Sequence, residues 1–414
     1  MRAIGIVCEY NPFHNGHLYQ IEESRRRLGG DAAVVCVMSG DFVQRGEAAC
    51  FSKFPRAEAA CRSGADLVVE LPLPWCLSSA EGFASGAVSI LAALGCTHLS
   101  FGSEGGELDK LKGIAAFINE PETGDEIQRL LSQDARLSYA RARQLAAEKE
   151  FGREASLLSQ PNNILAVEYL KTLIRNGYPL EPIAVSRIGS AHDSEGEGEF
   201  PSAMQLRNML AEGEDITRYL PAGSQEVFRR EIKAGRMKNE RVLEAALLSR
   251  LYALAPEDFD KLPDAEGGVG RRLYRALWQG NGLEEIVRLA ASKRFTAARM
   301  RRMLISAALG GCADDTKGVP PYIRVLAANE KGMELLRNHA ENSRIPVLGR
   351  AGDVKKLGRD AERVFTMTAQ AHAVYCQQFV SNDDRNPNSD WRHGILFVNN
   401  DELPRFQRFD FVQE

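Results

Sequence analysis

No stretch of this 414-residue chain approaches the 18 or more uninterrupted apolar residues that a membrane span needs. Its start carries one arginine and then a strand-like run, with no signal-peptide cleavage pattern. The chain is therefore expected to stay in the cytoplasm, away from membranes. Its eight cysteines (8, 36, 50, 61, 76, 96, 312 and 376) contain no CxxC pair. They supply no zinc-ligand spacing and read as reduced, mostly buried thiols. Charge of one sign is lacking too: 52 Lys and Arg against 56 Asp and Glu leave a formal net charge of −4. That balance argues against nucleic-acid binding by the whole surface, while leaving room for a local basic patch. No internal repeat or low-complexity tract is evident. What remains is a globular protein, 44% hydrophobic and 26% charged, long enough for two domains.

The informative stretch is the first. Ala3–Cys8 is a short apolar run, the pattern of a buried parallel strand. Asn11-Pro12 ends it, because the residue before proline is pushed out of the α region. His14-Asn15-Gly16-His17 then opens an amphipathic helix with Leu18, Ile21 and Leu28 on its apolar side. A strand, a tight turn and a helix start gather backbone N–H groups and the positive helix end at one spot, which suits an anion. Two imidazoles three residues apart, with glycine between them for close approach, fit a triphosphate under attack at its α-phosphorus.

Further along, Ala32–Met38 reads as a second buried strand. The loop Ser39–Gly46 follows its carboxyl end, where open α/β sheets bind ligands. Asp41, Gln44 and Arg45 on that loop are candidate substrate contacts, with Lys53 and Arg56 close behind. Leu67–Leu71, Thr97–Phe101 and Pro182–Val185 read as strands, with helices between them over Phe54–Ser63 and Ala80–Leu94. This alternation predicts an α/β doubly wound parallel sheet. Arg187 sits where a strand ends and is placed to clamp phosphate. Leu220–Gly223 is the expected boundary, dividing 1–222 from a mostly helical 223–414. In the second part, Met300, Met303, Leu304 and Ala307 share one helix face, leaving Arg299, Arg301 and Arg302 pointing away. With Lys293, Arg294 and the interleaved Phe295 they form a candidate RNA-backbone contact.

Glu9–His17 (EYNPFHNGH) resembles the signature of HIGH-type nucleotidyltransferases, and in this form that of the bacterial tRNA(Met) cytidine acetate ligases. FGSE at Phe101–Glu104, PNNILA at Pro161–Ala166 and KRFTAARMRR at Lys293–Arg302 carry the resemblance onward. It implies a Rossmann-like catalytic part. It also implies ATP contacts from Val7, Cys8, Glu9, Tyr10, Asn11, Pro12, Phe13, His14, Asn15, Gly16, His17, Leu18, Tyr19 and Gln20. Gly102, Arg187 and one of Asn162 and Asn163 join them. Pro201–Arg207 is similar to the second superfamily signature, SSTxIR. Ala203 and Met204 replace small hydroxyls there, while Ser202 and Arg207 keep their phosphate roles.

His14 and His17 are the expected catalytic pair, and no protein-held metal site is expected. The activity the resemblance implies is a ligase using ATP, with Mg2+ accompanying the nucleotide. Acetate would be activated as acetyl-adenylate and captured by the wobble cytidine of elongator tRNA(Met). The residues by themselves support the adenylylation half. The alternative is an adenylyltransferase acting on a small phosphorylated metabolite, with a non-enzymatic nucleotide-binding module behind it.

Overall fold

The alternation expected over the first half is realised strand for strand in the computed structural model, which describes residues 2–134, 136–186, 201–339, 343–399 and 405–407. β1 (Ala3–Cys8) leads to α1 (Asn15–Arg27), and β2 (Ala33–Ser39) to a small hairpin of β3 (Phe42–Val43) and β4 (Glu47–Ala48). Next come α2 (Lys53–Arg62), β5 (Leu67–Leu71), the short α3 (Leu73–Cys76), α4 (Ala80–Ala93) and β6 (His98–Ser103). Then α5 (Leu108–Ile118), α6 (Pro121–Gln133), α7 (Tyr139–Phe151) and α8 (Pro161–Asn176) lead to β7 (Glu181–Ser186). β1 and β2 lie in the middle of the sheet and are apolar on both faces, as a covered parallel sheet requires. Ala33, Val35 and Val37 pack in a core with residues of α4, α5 and α8, while Val34, Cys36 and Met38 pack with residues of α1 and α2.

The chain then runs through α9 (Ala203–Ala211) and α10 (Ala222–Lys233), which packs on α2. A helical layer follows: α11 (Glu240–Tyr252), α12 (Pro256–Asp260), α13 (Val269–Leu277), α14 (Leu283–Ala290) and α15 (Ala297–Ala308). After that, within a part that is mostly helical as expected, four short strands appear. β8 (Ile323–Ala328) returns to the sheet and pairs antiparallel with β5. α16 (Glu330–His339), β9 (Val347–Leu348), α17 (Arg359–Cys376), α18 (Ser389–Arg392), β10 (Ile395–Phe397) and β11 (Arg405–Gln407) complete the described part.

The sheet order is β11-β10-β8-β5-β2-β1-β6-β7, with β9 beside β8, so the sheet itself crosses the expected boundary at 222. Within it β5-β2-β1-β6-β7 is parallel throughout. The strand order reverses between β1 and β6, which places the ligand crevice of such a fold at their carboxyl ends. All eight cysteines are free, seven of them buried. Among the described residues no helix is long and apolar enough to cross a membrane.

Candidate active site

A cavity of about 430 Å³ opens at that crevice. Val7, Cys8, Glu9, Tyr10 and Asn11 enter from the end of β1, and Gly16, Tyr19 and Gln20 from α1. His14 and His17 lie at its wall with their rings 3.9 Å apart. His14 is the N-cap of α1: its Nδ1 accepts from the Gly16 amide at 3.1 Å, and His17 Nδ1 accepts from the His14 amide at 3.3 Å. Both Nδ1 atoms therefore act as acceptors, so each neutral ring carries its proton on Nε2, which becomes a donor. Gly16 is needed for this arrangement, since a Cβ there would stand 2.9 Å from the His14 ring.

Gln44 and Arg45 of the β3–β4 turn, Gly102 of β6, Asn162 of α8, and Ser202 and Arg207 at the head of α9 close the cavity. The Gln44 amide is held by Glu9 Oε1 at 2.8 Å. Burial pushes the Glu9 carboxyl above its ordinary pKa, against that amide and the charges of Arg45, Arg56 and Arg207. Arg207 Nη1 donates to the Asn11 carbonyl at 3.0 Å, tying α9 to the first motif. Ser202 caps α9 through a reciprocal pair with Gln205, so its hydroxyl already serves the helix.

Not every expected contact is found on the cavity wall. Pro12, Phe13, Asn15 and Leu18 are not among the lining residues; Phe13 sits wholly in the core, its ring 4.6 Å from that of Tyr10. Asn163 is fully buried behind Asn162. Arg187 lies outside the described residues. Conversely, Phe83, Phe101, Ile164, Leu165 and Tyr169 line the cavity, apolar residues that the sequence does not single out as contacts.

Asp41 is not a cavity residue either. Its carboxylate accepts from the Lys53 amide and pairs with His372 Nδ1 of α17 at 2.7 Å. Burial alone would depress the His372 pKa, but the Asp41 charge outweighs it and pushes it up to about 10. Beside this pair Lys53 Nζ bridges Glu70 and Asp390, each at 2.8 Å, and Arg324 Nη1 reaches Asp390 at 2.6 Å. All these groups are buried, and with His372 protonated their charges balance three against three. Arg56, also wholly buried, donates to the carbonyls of Glu9, Ser39, Gly40 and Phe51. Asp41, Lys53 and Arg56 thus brace the hairpin that presents Gln44 and Arg45.

The basic segment lies nearer than the sequence suggested. A Cβ at Gly46 (φ +77°) would stand 2.6 Å from the Arg302 amide, so α15 abuts the turn carrying Arg45. Lys293 and Arg294 are exposed. Arg301 is ion-paired with Glu284 at 2.7 Å, and Arg299 donates to the Asp264 carbonyl and lies over the Phe295 ring. Arg302 is held below its ordinary pKa by burial.

A doubly wound sheet with a histidine pair and helix N-termini around its switch-point cavity defines a nucleotide-binding α/β protein of the nucleotidyltransferase class. A family model described as HIGH Nucleotidyl Transferase matches residues 1–390. The tRNA(Met) cytidine acetate ligase of Thermoanaerobacter sp. (strain X514) is 37% identical, over 86% of this chain and 90% of its own. That of Acetivibrio thermocellus is 35% identical over 96% of this chain and all of its own. The crystal structure of Thermotoga maritima TmcAL bound with alpha-thio ATP superposes with a TM-score of 0.88 at 30% identity, over 96% of this chain and 100% of that one. The chain belongs to the tRNA(Met) cytidine acetate ligase family of HIGH nucleotidyl transferases.

Proposed function

We propose that this chain is an ATP-dependent ligase that forms N4-acetylcytidine at the wobble position of elongator tRNA(Met). The observation that carries the reading is the cavity at the β1–α1 junction, with two imidazoles offering Nε2–H donors. An acetate oxygen attacks the α-phosphorus of ATP, the bond to the β-phosphate bridge breaks, and pyrophosphate leaves. The His14 and His17 donors, the α1 dipole and Arg207 stabilise the charge that develops on the phosphates. The cytidine amine then attacks the acetyl carbonyl, AMP departs, and the amine loses a proton. Magnesium enters with the nucleotide; among the described residues no group of three or more His, Cys, Asp or Glu is placed to hold a metal.

The contact between α15 and the Arg45 turn favours a macromolecular acceptor over a small phosphorylated metabolite. It brings α15 against the turn that carries Arg45, which supports an RNA-backbone contact on that side of the cavity. ATP–pyrophosphate exchange tests the first half. The ligase reading expects exchange that requires acetate and proceeds without tRNA. Exchange driven by a phosphorylated metabolite and indifferent to acetate would transfer the chain to the alternative.

A further inference from the structure

Two adjacent asparagines at the head of α8 are held in opposite senses by the end of β6. Asn163 is buried, and its Oδ1 accepts from Ser103 Oγ at 3.0 Å and from the Glu104 amide at 3.4 Å. Asn162 lines the cavity, and its Nδ2 donates to Glu104 Oε1 at 2.8 Å. A carboxylate only accepts, so the atom of Asn162 facing Glu104 has to be the nitrogen. The Asn162 backbone amide reaches the same oxygen at 3.4 Å, which closes a small ring and fixes the side chain. The oxygen Oδ1 is then the polar atom of this amide left for a ligand. Glu104 Oε2 is itself buried without a partner, a cost that capping α8 does not explain.

We propose that Glu104 is a positioning residue that presents Asn162 Oδ1 to the nucleotide as a fixed hydrogen-bond acceptor. This corner of the cavity then selects a nucleotide carrying a donor there, either the exocyclic amine of the base or a ribose hydroxyl. The inference rests on the reading of the cavity as an ATP site. With Glu104 gone the amide flips freely and offers its nitrogen as readily as its oxygen, so selection for a donor is lost while stacking and phosphate contacts remain.

The test is calorimetric binding of ATP, inosine triphosphate, 2′-deoxyATP and 3′-deoxyATP to wild type, Glu104→Ala, Glu104→Gln, Asn162→Ala and the double alanine variant. Wild type is expected to prefer ATP about tenfold over at least one analogue, and the analogue that suffers tells amine from hydroxyl. Glu104→Ala should bring that ratio within about threefold, and Glu104→Gln, which keeps an acceptor, should retain most of it. Adding Glu104→Ala to Asn162→Ala should change the ratio no further. Urea midpoints identify any variant that fails to fold; if Glu104→Ala does, the similarly sized Glu104→Met, which also lacks an acceptor, carries the test with the same expectation. An unchanged ratio in Glu104→Ala, equal weakening of all four nucleotides, or no preference in wild type overturns the proposal. Failure of wild type to bind ATP at all overturns the ATP site instead.

Discussion

Replacing His372 with alanine leaves the Asp41 carboxylate buried beside Lys53 and Arg56 but without the imidazolium 2.7 Å away. Breaking a buried pair by removing one partner costs roughly 3–5 kcal/mol, a large part of the stability of an ordinary domain. The pH dependence is more diagnostic. The His372 pKa is raised from 6.5 to about 10, so folding takes up a proton between those values. The contribution is complete below pH 6.5 and fades as pH rises through 10, at up to about 1.4 kcal/mol per pH unit. Buried cysteines such as Cys50, pushed up to about 11, also erode stability in alkali, but equally in both proteins. Urea unfolding at intervals from pH 6 to pH 10 should therefore show a gap between wild type and His372→Ala that is widest at pH 6 and narrows steadily. A gap below about 1 kcal/mol at pH 6, or one that stays constant with pH, would refute the argument that His372 is buried as a cation.

His14→Ala and His17→Ala should each lower acetate-dependent ATP–pyrophosphate exchange by about 10²–10³-fold. Loss of the α1 cap in either variant should cost only ~1 kcal/mol in urea unfolding, and near-normal exchange in either removes it from the chemistry. Arg207→Ala should weaken ATP in calorimetry and leave tRNA binding alone, with lysine a poor substitute because the fork is lost. Neutralising Lys293 and Arg294 together should flatten the salt dependence of tRNA binding by roughly one to two units of slope. Arg301→Ala should do less because Glu284 already engages that side chain; the reverse order would place the RNA surface elsewhere.

The first motif was legible because strand, turn, histidines and helix are contiguous, and local chemistry fixes each. β1 runs over Ala3–Cys8 as its apolar pattern predicts. Where side chains serve partners distant in sequence, the sequence alone does not show their role. Lys53 meets Asp390 across 337 positions, and Asp41 meets His372 across 331. A charge on a glycine-rich loop looks like a substrate contact until its buried partner is known. β8 stayed hidden for the same reason, since Arg324 interrupts its apolar run and is neutralised by Asp390, 66 residues on. Phe83 and Tyr169 line the cavity from helix positions that any core residue would occupy, and nothing in their spacing tells the two apart. The two asparagines of α8 were inseparable in sequence, because one residue of helical rotation decides which of them meets the cavity.

The fate of acetate decides whether this chain is the ligase. The protein incubated with labelled acetate, ATP and total bacterial tRNA, followed by digestion to nucleosides, should place the label in N4-acetylcytidine from the anticodon of elongator tRNA(Met), with AMP and pyrophosphate as the other products. Label absent from tRNA, or present in a nucleoside other than N4-acetylcytidine, would contradict it.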